Sequence, residues 1–349
     1  MMIRTILVVW ALVLASAPAR AQVRDSAGMD TAYAPGPYRV FTGSGEAASL
    51  DDIVRAMGAV QVVFIGETHD DPTAHLIELE LLKRAAESHA AARPIALSLE
   101  FFERDVQLPI DEYLAGRIPE SSFRADTRPW PRYETDYRPL LEFAKAHRLP
   151  VIAANAPRRY VSMVSRRGRE SLSELDARAL ALLPPLPYGR ASVAYREQWI
   201  ATMSEVMKRE GMRCGVRVDD APAPTGAHQN MGNQLDGQVL WDATMAHSVA
   251  RVLSERPDAL VLHMAGGFHV ERGTGTPEQL QAYAPGTRAL IVSIRPVDDV
   301  SAYAGAPDGQ WGDFVVQTES ARTLEAIECR QFHAERGSYE AVRHRTPDR

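Results

Sequence analysis

The sequence predicts an α/β protein with a mostly parallel β-sheet flanked by helices, and with a helical subdomain inserted between the third and fourth strands. Two observations support this fold class. Several short apolar runs are continuous rather than alternating, which is typical of strands buried on both faces. Helical patterns separate these runs, and a strand–helix–strand order implies right-handed crossovers within a parallel sheet.

The first 21 residues have the features of a secretory signal peptide. A short basic start precedes an apolar stretch from Ile6 to Ala15, and residues 19–21 (ARA) form a small-residue cleavage signal. The apolar stretch spans about ten residues, which is too short to cross a bilayer. We therefore predict export to the periplasm or the exterior, with no transmembrane segment in the mature chain.

The remaining chain is predicted as one α/β domain at residues 50–334, between a poorly ordered lead-in at residues 22–49 and a charged tail at residues 335–349. About a hundred residues separate the third and fourth strands, far more than an ordinary crossover needs. This gap predicts the helical insertion at about residues 160–256. The predicted strands are Val62–Gly66, Ile95–Glu100, Val151–Asn155, Leu260–Ala265 and Ala289–Ile294.

Composition and motifs exclude several classes of function. The net charge is -6 and the basic residues are scattered, so the chain has no basic patch for nucleic acid. Cys214 and Cys329 are the two cysteines, which excludes a four-thiolate zinc or iron–sulfur site and leaves their pairing undetermined. The sequence contains no Gly-x-Ser-x-Gly elbow, P-loop or His-Glu-x-x-His motif.

Ionisable side chains follow the predicted strands at their carboxyl ends, where parallel sheets bind ligands. Glu67 and His69 follow the first strand, Glu100 ends the second, and His269 follows the fourth. Their mixed oxygen and nitrogen donors suit manganese, iron or zinc, so these four residues are the candidate metal ligands. A carboxylate beside an imidazole also orients a histidine as a general base, which makes Glu67 and His69 the candidate catalytic residues of a hydrolase.

Other polar residues are predicted to support this site or to lie in the core. His263 lies inside an apolar strand, where a hydrogen-bonded core histidine is favoured over a ligand. The predicted supporting residues are His75, Asn155, Gln238 and Asp242.

Several segments resemble a known family when taken together and in order. They include residues 66–72 (GETHDDP) with His75, residues 99–105 (LEFFERD), residues 153–158 (AANAPR) and residues 265–269 (AGGFH). From about residue 50 to residue 295 the chain is similar to the ChaN-type haem-binding uptake proteins of the Tiki superfamily.

The resemblance implies a parallel α/β sheet, a haem ligand stacked between the two subunits of a homodimer, and a role in iron acquisition. In related Tiki-like branches the paired Glu and His motifs resemble the metal ligands of a hydrolase. The sequence lacks the lipidation cysteine of many relatives, and the segment around Cys214–Gly237 does not match. No haem ligand is therefore transferred, and the candidates within the insertion are Tyr188, Tyr195, His228 and Met231.

Two functions remain open at this point. The first is an exported haem- or iron-binding protein whose ligand lies at the carboxyl edge of the sheet under the helical insertion. The alternative is a metal-dependent hydrolase, a peptidase or an esterase, that uses the Glu and His cluster. The sequence does not decide between them, nor does it determine the identity of the metal or the oligomeric state.

Overall fold

The computed structural model describes residues 37–213, 227–306 and 309–319, with the backbone alone for residues 205–213 and 227–230. The predicted signal peptide, the charged tail, Cys214 and Cys329 lie outside the described residues. Within the described residues, no helix combines the length and the apolar character that a membrane crossing requires.

The described strands form one mixed sheet in the order β2-β1-β8-β7-β3-β6-β4-β5. The strands β3 to β8 pair in parallel, whereas β1 is antiparallel to both β2 and β8. This arrangement confirms the predicted α/β class. The strands are β1 (Tyr38–Thr42), β2 (Ala47–Ala48), β3 (Val62–Glu67), β4 (Ile95–Glu103), β5 (Val151–Asn155), β6 (Leu260–Gly266), β7 (Ala289–Val297) and β8 (Phe314–Glu319).

Helices cover both faces of the sheet and form the segment between β5 and β6. They are α1 (Leu50–Met57), α2 (Pro72–His89), α3 (Gln107–Leu114), α4 (Glu120–Thr127), α5 (Tyr133–Asp136), α6 (Arg138–His147), α7 (Arg158–Arg167), α8 (Ala177–Leu180), α9 (Val193–Arg213), α10 (Ala227–Glu255) and α11 (Thr276–Tyr283). Short 3-10 turns lie at Arg104–Val106, Arg169–Glu174, Gly267–His269 and Glu271–Gly273.

The start of α2 forms as the local sequence predicts. The carboxylate of Asp71 accepts a hydrogen bond from the backbone N–H of Thr73 over 2.9 Å, and Pro72 occupies the first helical position. Proline suits this position because its missing N–H would have no partner within the helix. This cap places His75 in the first turn, directly after the loop that carries His69.

Two apolar layers enclose the sheet because alternate strand residues face opposite sides. On β3, Val63 and Ile65 pack in the cluster that includes α1, α2, α3 and α6. Val62 and Phe64 pack on the other face, in a cluster that includes α10 and α11. The strand is buried along its whole length, which explains its continuous apolar sequence.

The expectation of a poorly ordered lead-in up to residue 49 is wrong for residues 38–48. The strand β1 pairs with β8 over five residues, and Val40 and Phe41 on β1 are buried. The sequence did not predict β1 because its partner β8 lies far away in the chain, at the C-terminal end of the described residues.

Between β5 and β6 the described residues form helices and 3-10 turns. A third apolar cluster, which includes Tyr195 and Trp199 of α9 and Val239 of α10, packs these helices together. The helix α10 begins at Ala227 and continues through Gly237. Gly237 lies so close to Ser165 of α7 that a Cβ there would collide with the Ser165 hydroxyl, so glycine lets the two helices approach closely.

Candidate functional site

Sheet register brings three of the predicted site segments together. Glu67 at the end of β3 lies opposite Gly266 at the end of β6, and β4, which carries Glu100, is the other neighbour of β6. The adjoining 3-10 turn carries His269. The carboxyl ends of three adjacent parallel strands therefore place Glu67, Glu100 and His269 at one edge of the sheet.

Glu67 and His69 form a carboxylate–imidazole pair at this edge. The Nδ1–H of His69 donates a hydrogen bond to Oε1 of Glu67 over 2.5 Å. The Glu67 side chain is fully buried, whereas the His69 side chain is 48% exposed. Burial lowers the pKa of His69, but the hydrogen bond and charge of Glu67 outweigh burial and raise it above its ordinary value. The pair thus presents an oriented imidazole to the surface.

Glu100 and His269 form a second, buried ion pair beside the first. Oε1 of Glu100 lies 3.4 Å from Nε2 of His269, and its Oε2 accepts a hydrogen bond from the backbone N–H of Gly266 over 2.7 Å. Burial raises the pKa of Glu100, but the charges of His269 and His69 outweigh burial and lower it below its ordinary value. Gly266 allows the close approach, because a Cβ there would lie 2.9 Å from Cε1 of His69.

Asp242 of α10 anchors His269 from the helical side. Its Oδ1 accepts hydrogen bonds from Nδ1–H of His269 over 2.8 Å and from the hydroxyl of Thr276 over 2.9 Å, and its Oδ2 accepts one from the hydroxyl of Tyr195. Burial lowers the pKa of His269, but the charges of Glu100 and Asp242 raise it to about 9. The side-chain amide of Gln238, one turn earlier on α10, lies 3.1 Å from Nε2 of His269.

His75 forms a third pair behind the loop that carries His69. Its Nδ1 contacts Oε2 of Glu78 at 3.1 Å, and its Nε2 contacts the backbone carbonyl of His69 at 3.1 Å. A carboxylate and a carbonyl both accept hydrogen bonds, so this environment favours an imidazolium with both nitrogens protonated. Burial lowers the pKa of His75, but Glu78 outweighs burial and raises it to about 9. His75 therefore fixes the backbone of the loop rather than facing a ligand.

The predicted metal ligands meet at one edge but are engaged in pairs. The Nδ1 atoms of His69 and His269 each bind a carboxylate, from Glu67 and Asp242 respectively. Within the described residues, no group of three or more His, Cys, Asp or Glu side chains is arranged to hold a metal ion. In both histidines the contact between Nδ1 and a carboxylate fixes the orientation of the imidazole ring.

The other predicted residues lie at varied distances from this edge. Asn155 is buried and its side chain accepts a hydrogen bond from the adjacent N–H of Ala156. The Tyr188 hydroxyl donates to the carbonyl of Asp236 over 2.9 Å, inside the helical insertion. Met231 on α10 is 41% exposed. His228 also lies on α10, and its side chain is outside the described part of the structure.

His263 lies in the core, as expected from its apolar strand. It is fully buried, and its Nδ1 pairs with the hydroxyl of Ser98 over 2.9 Å. Burial lowers its pKa to about 3, so the ring is neutral at pH 7.

Sequence reasoning missed several residues that shape the site. Glu78 lies three residues after His75, and this helical spacing was the available signal for their pairing. Trp130 contacts the His69 ring edge-on at 4.8 Å between centroids, and Arg132 donates a hydrogen bond to the His69 carbonyl over 2.6 Å. Both lie in a loop more than sixty residues from His69, so no local pattern links them to it.

The fold and this site define a class of α/β protein. In this class the carboxyl edge of the sheet carries two neighbouring carboxylate–histidine pairs beside a helical insertion. A sequence profile described as "Haem-binding uptake, Tiki superfamily, ChaN" matches residues 53–280. The chain belongs to this family.

Two known proteins illustrate the relationship. A solved structure that describes cofacial heme binding to ChaN of Campylobacter jejuni superposes with a TM-score of 0.60 and 14% sequence identity. The match covers 81% of this chain and 97% of the Campylobacter chain. This likeness shows a shared fold. Protein RETICULATA-RELATED 5, chloroplastic, of Arabidopsis thaliana is 23% identical over 248 residues, and the match spans 68% of this chain but only 31% of the plant protein.

Proposed function

We propose that this chain is an exported haem-binding protein that acts in haem or iron uptake and holds its ligand at the carboxyl edge of the sheet, beneath the inserted helices. The observation that carries the proposal is the exposed imidazole of His69, anchored by the buried carboxylate of Glu67 in a member of a haem-binding family.

The residues at this edge fit a haem ligand. His69 would hold haem by giving an imidazole nitrogen to its iron. His69 uses Nδ1 for Glu67, which leaves Nε2 for iron and fixes the orientation of the ring. A carboxylate on the other ring nitrogen makes an imidazole a stronger ligand. Because Glu67 raises the pKa of His69, a proton competes with iron at low pH, and we expect haem binding to strengthen as the pH rises.

Among the candidates whose side chains the structure describes, Met231 is the one that we propose as a second ligand. It precedes Gln238, which contacts His269, by seven residues, so the two lie on the same face of α10 two turns apart. The hydroxyls of Tyr188 and Tyr195 are already hydrogen-bonded to Asp236 and Asp242. Those tyrosines support the packing of the insertion rather than a haem iron.

A hemin titration followed by the Soret band tests the proposal. We expect saturable binding by the wild-type protein and a loss of at least about tenfold in affinity for His69→Ala. His147→Ala is the matched control, because His147 is an exposed histidine at the end of α6, which leads into the amino end of β5. We also propose that two chains share the ligand, and light scattering of the loaded sample measures whether they do.

Two results of this titration would contradict the proposal. Absence of saturable hemin binding by the wild type would exclude the haem function. Equal affinity of the wild type and His69→Ala would exclude His69 as the ligand, and a loss confined to Met231→Ala would assign that role to Met231.

Export is tested by a separate experiment. The N-terminal sequence of the protein from a periplasmic fraction is expected to begin at Gln22.

The Glu67–His69 pair also favours a second candidate function, hydrolysis of an ester or a peptide. The geometry is that of a general base: Nε2 of His69 would accept a proton from an attacking water, and the buried carboxylate of Glu67 would stabilise the resulting imidazolium. Turnover of a p-nitrophenyl ester that is lost in Glu67→Gln is the expected result of this function, and the assay is repeated with a chelator. Loss of turnover with the chelator would indicate a metal-dependent enzyme, and no turnover by the wild type would exclude hydrolysis of this ester.

A further inference from the structure

A groove of about 290 Å³ lies along β5, the edge strand of the sheet, between α3 and α10. Its lining shares no residue with the Glu67, His69, Glu100 and His269 cluster. Gln107 already occupies two backbone hydrogen-bonding groups on the open edge of β5. Its side-chain amide donates to the carbonyl of Val151 over 2.8 Å and accepts from the N–H of Ala153 over 2.7 Å. A ligand in this groove would therefore be recognised by side chains rather than by strand addition.

Arg104 lies at the bottom of the groove as a buried cation with neutral partners. It is 8% exposed, and its guanidinium donates to the carbonyl of Leu183 over 3.1 Å and contacts Nδ1 of His247 at 3.3 Å. Burial and the neighbouring Arg104 lower the pKa of His247 to about 4, so this imidazole is neutral at pH 7. Within the described residues no carboxylate pairs with Arg104, and a buried charge without a counter-charge is costly.

Further positive charge lines the exposed rim of the groove. Arg251 and Arg256 both lie at or near the end of α10 and are exposed, and neither forms an ion pair within the part of the chain that the structure describes. Two exposed carboxylates, Asp111 and Glu255, also line the groove, and Asp111 already accepts a hydrogen bond from Gln107. The three guanidiniums outnumber the two carboxylates, and Arg104 is the buried member.

A polar group next to Arg104 also lacks a partner. The hydroxyl of Tyr283 is buried without a hydrogen bond in the described structure, and its ring lies 5.3 Å from that of His247. Tyr283 does not line the groove, so an anion there would meet the guanidiniums of Arg104 and Arg251 rather than this hydroxyl.

We propose that this groove binds a small oxyanion, a carboxylate or a phosphate group of a small molecule, with Arg104 at its base and Arg251 at its rim. Guanidinium groups match the planar and tetrahedral oxyanions of carboxylates and phosphates and form strong charge-assisted hydrogen bonds with them. The volume is near the lower end of the range for small-molecule pockets, which suits a compact anion.

Calorimetric titration with inorganic phosphate and with citrate tests the proposal, and the two probes separate the phosphate and carboxylate classes. We expect saturable binding of at least one anion by the wild type and a loss of about tenfold or more in affinity for Arg251→Gln. Arg251 is exposed, so its replacement should leave the fold intact. Arg39→Gln is the matched control, because Arg39 is an exposed arginine on β1, near the opposite end of the strand order.

The outcomes are distinguishable from those of the haem experiment. The proposal is wrong if the wild type binds neither anion saturably, or if Arg251→Gln binds as tightly as the wild type. Hemin affinity should be unchanged in Arg251→Gln. A loss of hemin binding together with anion binding would show that the groove belongs to the haem site, and would overturn the proposal of a separate one.

Discussion

At the scale of single residues, Asp242 shows how one buried carboxylate orders a site. It accepts hydrogen bonds from His269, Thr276 and Tyr195, which lie on three different segments of the chain. Each donor satisfies a lone pair that would otherwise be buried without a partner, and burial of an unpaired carboxylate is costly. His269 also pairs with Glu100, so it links Asp242 to the carboxyl edge of the sheet.

We predict that the ion pairs of His269 with Asp242 and Glu100 make the stability of the protein pH-dependent. The pKa of His269 is raised from 6.5 to about 9 in the folded state, so its stabilising contribution is fully present below about pH 6.5 and is lost as the pH rises through about 9. Asp242→Asn removes one of the two carboxylate charges that raise the pKa of His269. The decline in the free energy of unfolding between about pH 6 and about pH 10 should therefore become smaller by roughly 1–3 kcal/mol.

Urea unfolding at several pH values measures this effect. His75 has a pKa raised to about 9 as well, so the variant should keep part of the decline. Asp126→Asn, at an exposed position on α4, is the control and should follow the wild-type curve. A variant Asp242→Asn with the full wild-type decline would show that Asp242 does not set the pKa of His269.

At the scale of secondary-structure elements, local patterns found the strands β3 to β7 but not β1, β2 and β8. The core strands are apolar and buried on both faces, so their sequence alone identifies them. The strand β1 has the sequence YRVFT, in which polar and apolar residues mix, and its pairing partner β8 is distant in sequence. Its character as a strand depends on a long-range pairing that no local window contains.

We predict that β1 contributes measurably to stability. A chain that begins at Ser49 loses the pairing with β8 and the burial of Val40 and Phe41, so its melting temperature should fall by roughly 5–15 °C relative to a chain that begins at Pro37. The uncovered edge of β8 should also make the shorter chain more prone to aggregation. Thermal unfolding by circular dichroism measures the difference, and equal melting temperatures would show that β1 is dispensable.

At the scale of the whole molecule, strand order determines which site residues become neighbours. The strand β6 lies between β3 and β4, although nearly a hundred and sixty residues separate β4 from β6 in the chain. The helical insertion occupies the later part of this interval, between β5 and β6, and its helix α10 contacts the site through Asp242 and Gln238. The same return of α10 also forms one wall of the groove beside β5, so the insertion shapes both candidate binding regions.

The sequence by itself determined the parallel α/β class, the central strands, the cap of α2 and the meeting of Glu67, Glu100 and His269 at one edge. These features follow from burial on both faces and from the rule that parallel strands end together. Only the tertiary structure decided that Asp242 of α10 and Glu100 of β4 both pair with His269. These pairs depend on side-chain directions and on distances of a few ångströms between separate segments, which a linear pattern does not specify.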